Sequence, residues 1–398
     1  MKFHRLLCGI LGLVLLLGTC TAEMNAENEP GENGHILSAG SWTAVETVTE
    51  QGESRIAYPV LHGGEDPALE ALVNSRVLED LCINAYLSRS AQLPAGYALQ
   101  TEWSGILSGD VFSGVCSAFG PLETTRAEHA WSWSTVDLKT GEEIPLEALF
   151  TDPEEACTRL ETYLEDVVGP ELSGYLLNSE VTPLPEGFVL GRTGLILLYP
   201  VDQLSTLSDR AGAIHIGWNE IRDILNLDDD SVLSRLGIPE MITLTDHSAA
   251  SVRDAVGSGT FPEIPVVLGQ SMQELTDRYH LLIDPDGFDG GRMISLEGAC
   301  FRDVYLLTDD LDDGFEHSVV QGIRMDRGCF FGLCIGETNR ADWRGMLGQP
   351  DNTVDFDEEK AAEKRREAGT CDYYRIGDYQ LQLYCDENET LVSITLTE

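Results

Sequence analysis

Between Pro67 and Arg89 the apolar residues Leu69, Leu72, Val73, Val77, Leu81, Ile83 and Leu87 recur mostly at steps of three and four. That spacing aligns them along one side of a helix, so it predicts a single amphipathic helix over the stretch. The period then changes. Residues 97–107, 111–119 and 129–138 alternate large and small or polar side chains and are bounded by Gly, Asp or Pro, the pattern of half-buried antiparallel strands. Helical spacing returns at 146–150 and 156–168, and short apolar strands follow at 188–190, 195–199 and 213–218. A helix, a meander, helices and a second meander make an α+β order.

After Pro239 the pattern weakens. Residues 241–263, rich in Ser, Thr, Ala and Gly, read as a linker. Two similar units then follow, over 264–326 and 327–398. Val267-Leu-Gly269-Gln-Ser271 and Cys334-Ile-Gly336-Glu-Thr338 stand 67 residues apart, and each precedes a helical stretch. Ser271 and Glu274 have the spacing of a capping box. Each unit closes in strands, at 319–325 and 391–396. Mixed charges at helical steps over 355–366 read as a solvated insertion before a last hairpin that turns at Gly377-Asp378.

The N-terminus carries an address. Lys2 and Arg5 precede an apolar run from Leu6 to Leu17. That run is too short for a spanning helix, which needs roughly 20 residues, and is arranged as an export signal. Its end, Leu17-Gly-Thr-Cys20, resembles the lipobox of bacterial lipoproteins, which implies lipid attachment at Cys20. Cleavage after Ala22 or Ala26, which would release a secreted protein, is the alternative. Residues 1–22 are thus the leader and 23–39 a flexible tether.

Charge narrows the partners. The 398 residues hold 25 Lys and Arg against 68 Asp and Glu, a formal net charge of −43. Phosphate backbones need clustered cations, so nucleic acid is set aside. An acidic exported surface steers cationic partners and also keeps the protein soluble. Outside the leader eight cysteines remain, at 82, 116, 157, 300, 329, 334, 371 and 385. In an oxidising compartment they allow up to four disulfides in 105 pairings. Cys329 with Cys334 and Cys371 with Cys385 are closest in sequence. A Cys371–Cys385 bridge needs a one-residue bulge, because a strict two-residue turn sets Cys371 opposite Tyr384. Buried thiols are the alternative.

Within 129–138, alternation puts His129, Trp131 and Trp133 on one side of the strand and Ala130, Ser132 and Ser134 on the other. Two readings stay open for the indoles: a core-facing stripe, or a ligand platform with flat apolar faces and donor edges.

Asp137-Leu-Lys-Thr-Gly141, followed by Glu143-Ile-Pro-Leu-Glu147-Ala-Leu-Phe150, is similar to a segment of the extracytoplasmic domain shared by RsiV-type, lysozyme-sensing anti-sigma factors and PdaC-type peptidoglycan deacetylases. Phe188-Val-Leu-Gly-Arg-Thr-Gly194-Leu-Ile-Leu-Leu-Tyr199-Pro200 and Ile214-His-Ile-Gly-Trp-Asn-Glu-Ile221 resemble that family's closing strands and last short helix. Tyr58-Pro59 and Asn74 echo its opening strand and first helix. The resemblance covers roughly 40–240 and implies a helix on an antiparallel sheet, with lysozyme as one possible class of ligand. The segment Arg126-Ala-Glu-His129-Ala and the loop 202–210 depart from the family pattern. Ile335-Gly336-Glu-Thr338 through Trp343 to Leu347-Gly-Gln-Pro350 resembles the opening of SmpA-like lipoproteins and of tandem modules like β-lactamase-inhibitor protein. That likeness implies helices before a curved antiparallel sheet, in a family that commonly binds proteins.

The chain has no HExxH, no G-x-S-x-G elbow, no P-loop and no dinucleotide-binding glycine fingerprint. No enzyme activity and no cofactor are expected. The Asp-rich runs 284–289 and 309–314 could offer calcium hard oxygen ligands, but neither has the twelve-residue EF-hand pattern, and solvated turns are preferred. The expectation is therefore an exported protein, held at the outer face of the membrane by a lipid on Cys20, that binds a basic protein such as lysozyme or an envelope component. A scaffold in envelope assembly, or an accessory to a peptidoglycan-modifying enzyme, is the alternative.

Overall fold

The computed structural model describes residues 36–398 except 65, 175, 177–180, 201–203, 205–211, 262–263, 265, 277–280, 289–291, 297–303, 309–314, 316 and 364–366. The leader, Cys20, most of the tether, Cys300 and the Asp309–Gly314 run lie outside the described residues. The architecture is α+β. No helix among the described residues is long and apolar enough to cross a membrane.

Seven strands form the first sheet, in sequence order: β1 (Ile36–Ala39), β2 (Trp42–Gln51), β3 (Ser54–His62), β4 (Gln100–Ser108), β5 (Val111–Gly120), β6 (Glu128–Asp137) and β7 (Glu142–Glu143). All neighbours are antiparallel except β3 and β4, which a helical crossover joins in parallel. The crossover was expected as one helix and is two. Helix α1 (Pro67–Asp80) starts at Asp66, whose carboxylate accepts from the Ala68 amide at 2.9 Å, with Pro67 in the first turn where its missing N–H costs nothing. It ends at a corner where Cys82 takes φ +57°, and α2 (Ile83–Ser90) continues from there. The break keeps Leu81 and Ile83 both fully buried, which a straight helix with residues two apart could not do on one side. Asn74 fastens α1 to β3, giving an N–H to the Leu61 carbonyl at 2.7 Å and accepting the Leu61 amide at 2.8 Å.

The hairpin after β6 follows from local chemistry. Asp137 Oδ1 accepts the Lys139 amide at 2.8 Å, Thr140 Oγ1 accepts the Glu142 amide, and Gly141 supplies φ +73°. Downstream, a 3-10 turn (Leu146–Leu149) leads to α3 (Pro153–Tyr163), capped by Asp152, and a π-turn to Val168. A three-stranded sheet follows, with β9 (Gly194–Leu198) between β8 (Gly187–Leu190) and β10 (Ala213–Gly217).

The segment expected as a linker over 241–263 carries α4 (Ser248–Gly257), with Val252, Val256 and Phe261 buried in the core of the second half. Small residues suit a helix that lies close to a sheet, which is why composition alone resembled a connector. After α5 (Met272–Thr276), β11 (Leu281–Phe288), β12 (Arg292–Leu296), β13 (Val304–Thr308) and β14 (Gly322–Met325) make one four-stranded unit. A small hairpin, β15 (Cys329–Phe330) and β16 (Leu333–Cys334), leads to α6 (Arg340–Leu347), β17 (Asn352–Phe356), α7 (Glu358–Glu363), β18 (Gly369–Ile376), β19 (Tyr379–Cys385) and β20 (Leu391–Thr397). The units share one sheet, ordered β11-β12-β13-β14-β20-β19-β18-β17, in which their last strands meet at the centre.

The repeat is visible in single hydrogen bonds. Gly269 and Gly336 both have positive φ, +79° and +83°, and their amides donate to Val320 and Leu391 carbonyls, each at 2.8 Å. The Met272 and Arg340 amides, at the two helix starts, donate to Ser318 and Glu389 carbonyls, each at 2.9 Å.

The hairpin β15–β16 sits between the halves. Cys329 and Cys334 face each other across it and form a disulfide in the core under β8–β10, while Phe330 and Leu333 enter the core of the eight-stranded sheet. Arg222 donates to the Ile242 carbonyl at 2.6 Å and pairs with Glu337, and Asn219 donates to Glu337. The possible Cys371–Cys385 bridge is not formed, and both residues are thiols. Without a bulge at that point Cys371 stands opposite Tyr384 and Cys385 opposite Thr370, so the two side chains leave the sheet on opposite sides.

Candidate functional site

The central strands β4, β5 and β6 have two unlike faces. One carries Trp103, Phe112, Cys116, Ala118 and Val136 and is covered by α1 and α2. Ser132 and Ser134 also point that way, donating to the Leu81 carbonyl at 2.8 Å and to Asp80 Oδ2 at 2.9 Å. Burial raises the Asp80 carboxyl to about 6, with Glu143 and Glu79 adding to it and Ser134 and Arg76 opposing.

The register fixes the other face. Val115 pairs with Trp133, Ser117 with Trp131 and Phe119 with His129, while on β4 Ser104, Glu102 and Gln100 stand opposite the same three β5 residues. The three-stranded sheet covers one end of this face. There Ser113 shares a 2.8 Å hydrogen bond with Thr135 and accepts the Leu190 amide at 2.8 Å. Trp133 lies under Gly187, where an added Cβ would come 2.9 Å from the indole ring. Trp131 and Trp133 pack on the cluster of Val115, Val189, Ile196, Leu198 and Ala213.

Beyond that cover, among the described residues, the face is partly exposed. Phe119 is 56% exposed. The His129 ring meets Phe119 and Trp131 edge to face, with centroids 6.2 and 6.0 Å apart, and its Nε2 lies 2.7 Å from Ser117 Oγ. The rim is ordered from below: Arg89 on α2 donates to the Pro121 carbonyl at 2.8 Å and the Thr124 carbonyl at 2.7 Å. Thr124 in turn donates to Glu128 at 3.0 Å. The result is a shelf of Phe119, His129, Trp131 and the edge of Trp133, with Glu102 on the same face and Glu128, paired with Gly120, on the helix-facing side.

The core-facing reading of the indoles accounts for Trp133 and for part of Trp131. Trp133 is mostly a packing residue, and Trp131 is shared between core and shelf. His129 is brought to them as alternation requires. Phe119, Ser117 and Glu102 were missed. The signal for them was present: a hairpin joining 111–119 to 129–138 places residues of one parity on both strands side by side. Chemically, the shelf offers π faces and a nearby carboxylate, which attract flat apolar groups and above all guanidinium or ammonium groups.

The second half holds the most concentrated charge pairing among the described residues. Asp372, fully buried on β18, accepts from Arg344 twice at 2.7 Å, from Arg340 at 2.9 and 3.2 Å, from Trp343 Nε1 at 3.1 Å and from Thr353 at 2.8 Å. Burial pushes its carboxyl up, but the Arg344, Arg340, Thr353 and Trp343 hydrogen bonds outweigh burial and hold it well below the usual carboxylate range. Every donor belongs to this fold's own helix and strands, so the cluster is a clamp of α6 onto the sheet. No group of three or more His, Cys, Asp or Glu among the described residues is arranged to hold a metal ion.

No family model matches the sequence, and no curated protein matches it. Solved structures give similarities at low identity. A DUF3298-family protein of Bacteroides fragilis is 14% identical, with a TM-score of 0.34, over 51% of this chain and 98% of its own. A DUF3298-family protein of Pseudomonas aeruginosa is 10% identical, with a TM-score of 0.33, over 48% and 94%. A DUF4309-family protein of Bacillus subtilis is 10% identical, with a TM-score of 0.26, over 38% and 97%.

Proposed function

We propose that this chain is an exported binding protein, anchored through a lipid on Cys20 at the outer face of the membrane, whose seven-stranded sheet receives a basic macromolecule on the shelf of Phe119, His129 and Trp131. The observation that carries the reading is the half-covered sheet face. The three-stranded sheet stops short of Phe119, leaving it exposed at the end of a row with His129 and Trp131, on the face that also carries Glu102. Exposed aromatics of this kind anchor protein partners. The net charge of −43 would raise the encounter rate with a cationic partner and lose that effect as salt rises.

Lysozyme serves as the probe. Capture of lysozyme by the purified protein should be strong at low salt and weaker at high salt. The substitution Phe119→Ala, at the exposed end of the shelf, should reduce affinity about tenfold or more while leaving the fold intact by circular dichroism. No capture at either salt concentration removes this partner; capture indifferent to the substitution removes the shelf. Export has its own test, the mass of the mature N-terminus from native cells: an acylated Cys20 is expected, and an intact leader on cytosolic protein refutes the placement.

A further inference from the structure

Cys82 occupies the position after the end of α1 where a helix turns off through a left-handed residue, and its amide donates to the Glu79 carbonyl at 3.0 Å. Glycine fills such positions without steric penalty. Cysteine at φ +57° carries the steric cost that glycine avoids. The corner is also docked at one place on the sheet. The Leu81 carbonyl accepts the Ser132 hydroxyl at 2.8 Å, and Ser132 is the direct cross-strand partner of Cys116, on the same helix-facing side of β5 and β6. Cys116 is a fully buried member of the core cluster beneath α1 and α2, and Cys82 packs against that cluster from its partly exposed edge. Both are thiols in this structure, and burial, with Cys82 adding to it, pushes the Cys116 thiol far up.

We propose that Cys82 and Cys116 are a built-in cross-linking site, joined by a disulfide that pins the α1–α2 corner to the central strand β5. The chemistry needs a low-molecular-weight or protein disulfide, R–S–S–R, as oxidant. Cys82 is the entry thiol because it reaches the surface. Its thiolate attacks one donor sulfur, giving Cys82–S–S–R and releasing the first RS⁻, which takes up the Cys82 proton. Cys116 then attacks the Cys82 sulfur, the S–S bond of the mixed disulfide breaks, and the second RS⁻ leaves and takes up the Cys116 proton. The donor is reduced to two thiols, and the two cysteines are oxidised to one disulfide. Supplying the donor during export rests on the location proposed above; the site itself does not.

The test keeps these apart by adding the donor to the purified full chain. After incubation with oxidised glutathione, remaining thiols are blocked with N-ethylmaleimide in denaturant, and the chain is cut with trypsin without reductant. Cys82 then lies in peptide 77–89 and Cys116 in peptide 90–126, each with a single cysteine, while Cys329 and Cys334 share peptide 328–340 as an internal control. The expected product is 77–89 linked to 90–126, with neither carrying label. In the Cys116→Ala variant, the linked pair should disappear and Cys82 should be recovered labelled or bound to glutathione. Label on both Cys82 and Cys116 in a sample whose 328–340 peptide is unlabelled overturns the proposal, as does Cys82 joined to any other cysteine. Neither result bears on whether the shelf binds a partner.

Discussion

Asp372→Asn is the most exposing perturbation of this fold. The carboxylate is 0% exposed, and the two guanidinium groups that it holds are 14% and 29% exposed. Replacing it with the nearly isosteric amide removes the charge but not the volume, so two cations stay against a neutral group that also presents N–H donors to them. Breaking one side of a buried pair costs about 3–5 kcal/mol, and because both Arg side chains touch water the low end, about 3 kcal/mol, is expected. Urea unfolding at pH 7, followed by far-UV circular dichroism and by fluorescence, should show the transition of the eight-stranded half at a lower midpoint with an unchanged slope. The pH dependence has a definite sign. A carboxyl held below its unfolded value of about 3.9 contributes fully above about pH 4 and loses its contribution as pH falls toward the folded value. The wild type should therefore show an acid-induced loss of stability below pH 4 that is smaller in Asp372→Asn. Replacing the whole set, with Asp372→Leu, Arg340→Met and Arg344→Met together, should cost much less than Asp372→Asn alone, since no charge is then left unpaired. An Asp372→Asn protein within about 0.5 kcal/mol of wild type at pH 7 would refute the clamp as a stabilising element.

Asp80 titrates in the opposite sense. Its carboxyl is raised to about 6 by burial, so the folded state binds the proton more tightly than the unfolded chain, and stability falls as pH rises from about 4 to about 6. Asp80→Asn should match wild type below pH 4 and exceed it by about 1–2 kcal/mol above pH 6, a figure discounted for its partial solvent contact; equal midpoints of the two proteins at pH 7.5 would refute this. Removing the disulfide in Cys329→Ser with Cys334→Ser should lower stability by about 2 kcal/mol through the freed short loop, measured by thermal unfolding, and an unchanged Tm would show that packing of Phe330 and Leu333 alone holds the hairpin.

Local patterns in the sequence were sufficient for many of the elements. Asp-Pro pairs at 66–67 and 152–153 mark helix starts because the carboxylate caps and the proline needs no donor. Asp137 to Gly141 dictates its turn, and the alternation at 129–133 sets His129, Trp131 and Trp133 on one side. The spacing of Gly269 and Gly336 reveals the repeat because both positions require positive φ. These features depend on residues within a turn of one another, so the chain states them directly.

What lay beyond the sequence depends on partners far along it. The break at Cys82 exists because Leu81 and Ile83 both find core, and the helix over 248–257 because a sheet built from later residues buries Val252 and Val256. Cysteine pairing turned on register: one residue of offset separates Cys371 from Cys385 and sends them to opposite faces, while Cys329 and Cys334 fall opposite each other. The shelf is likewise a tertiary product. The sequence decided which face the indoles share, but only the packing of β8 to β10 over one end of that face decided that Trp133 is covered and Phe119 is not, since exposure depends on which distant surface arrives to exclude water.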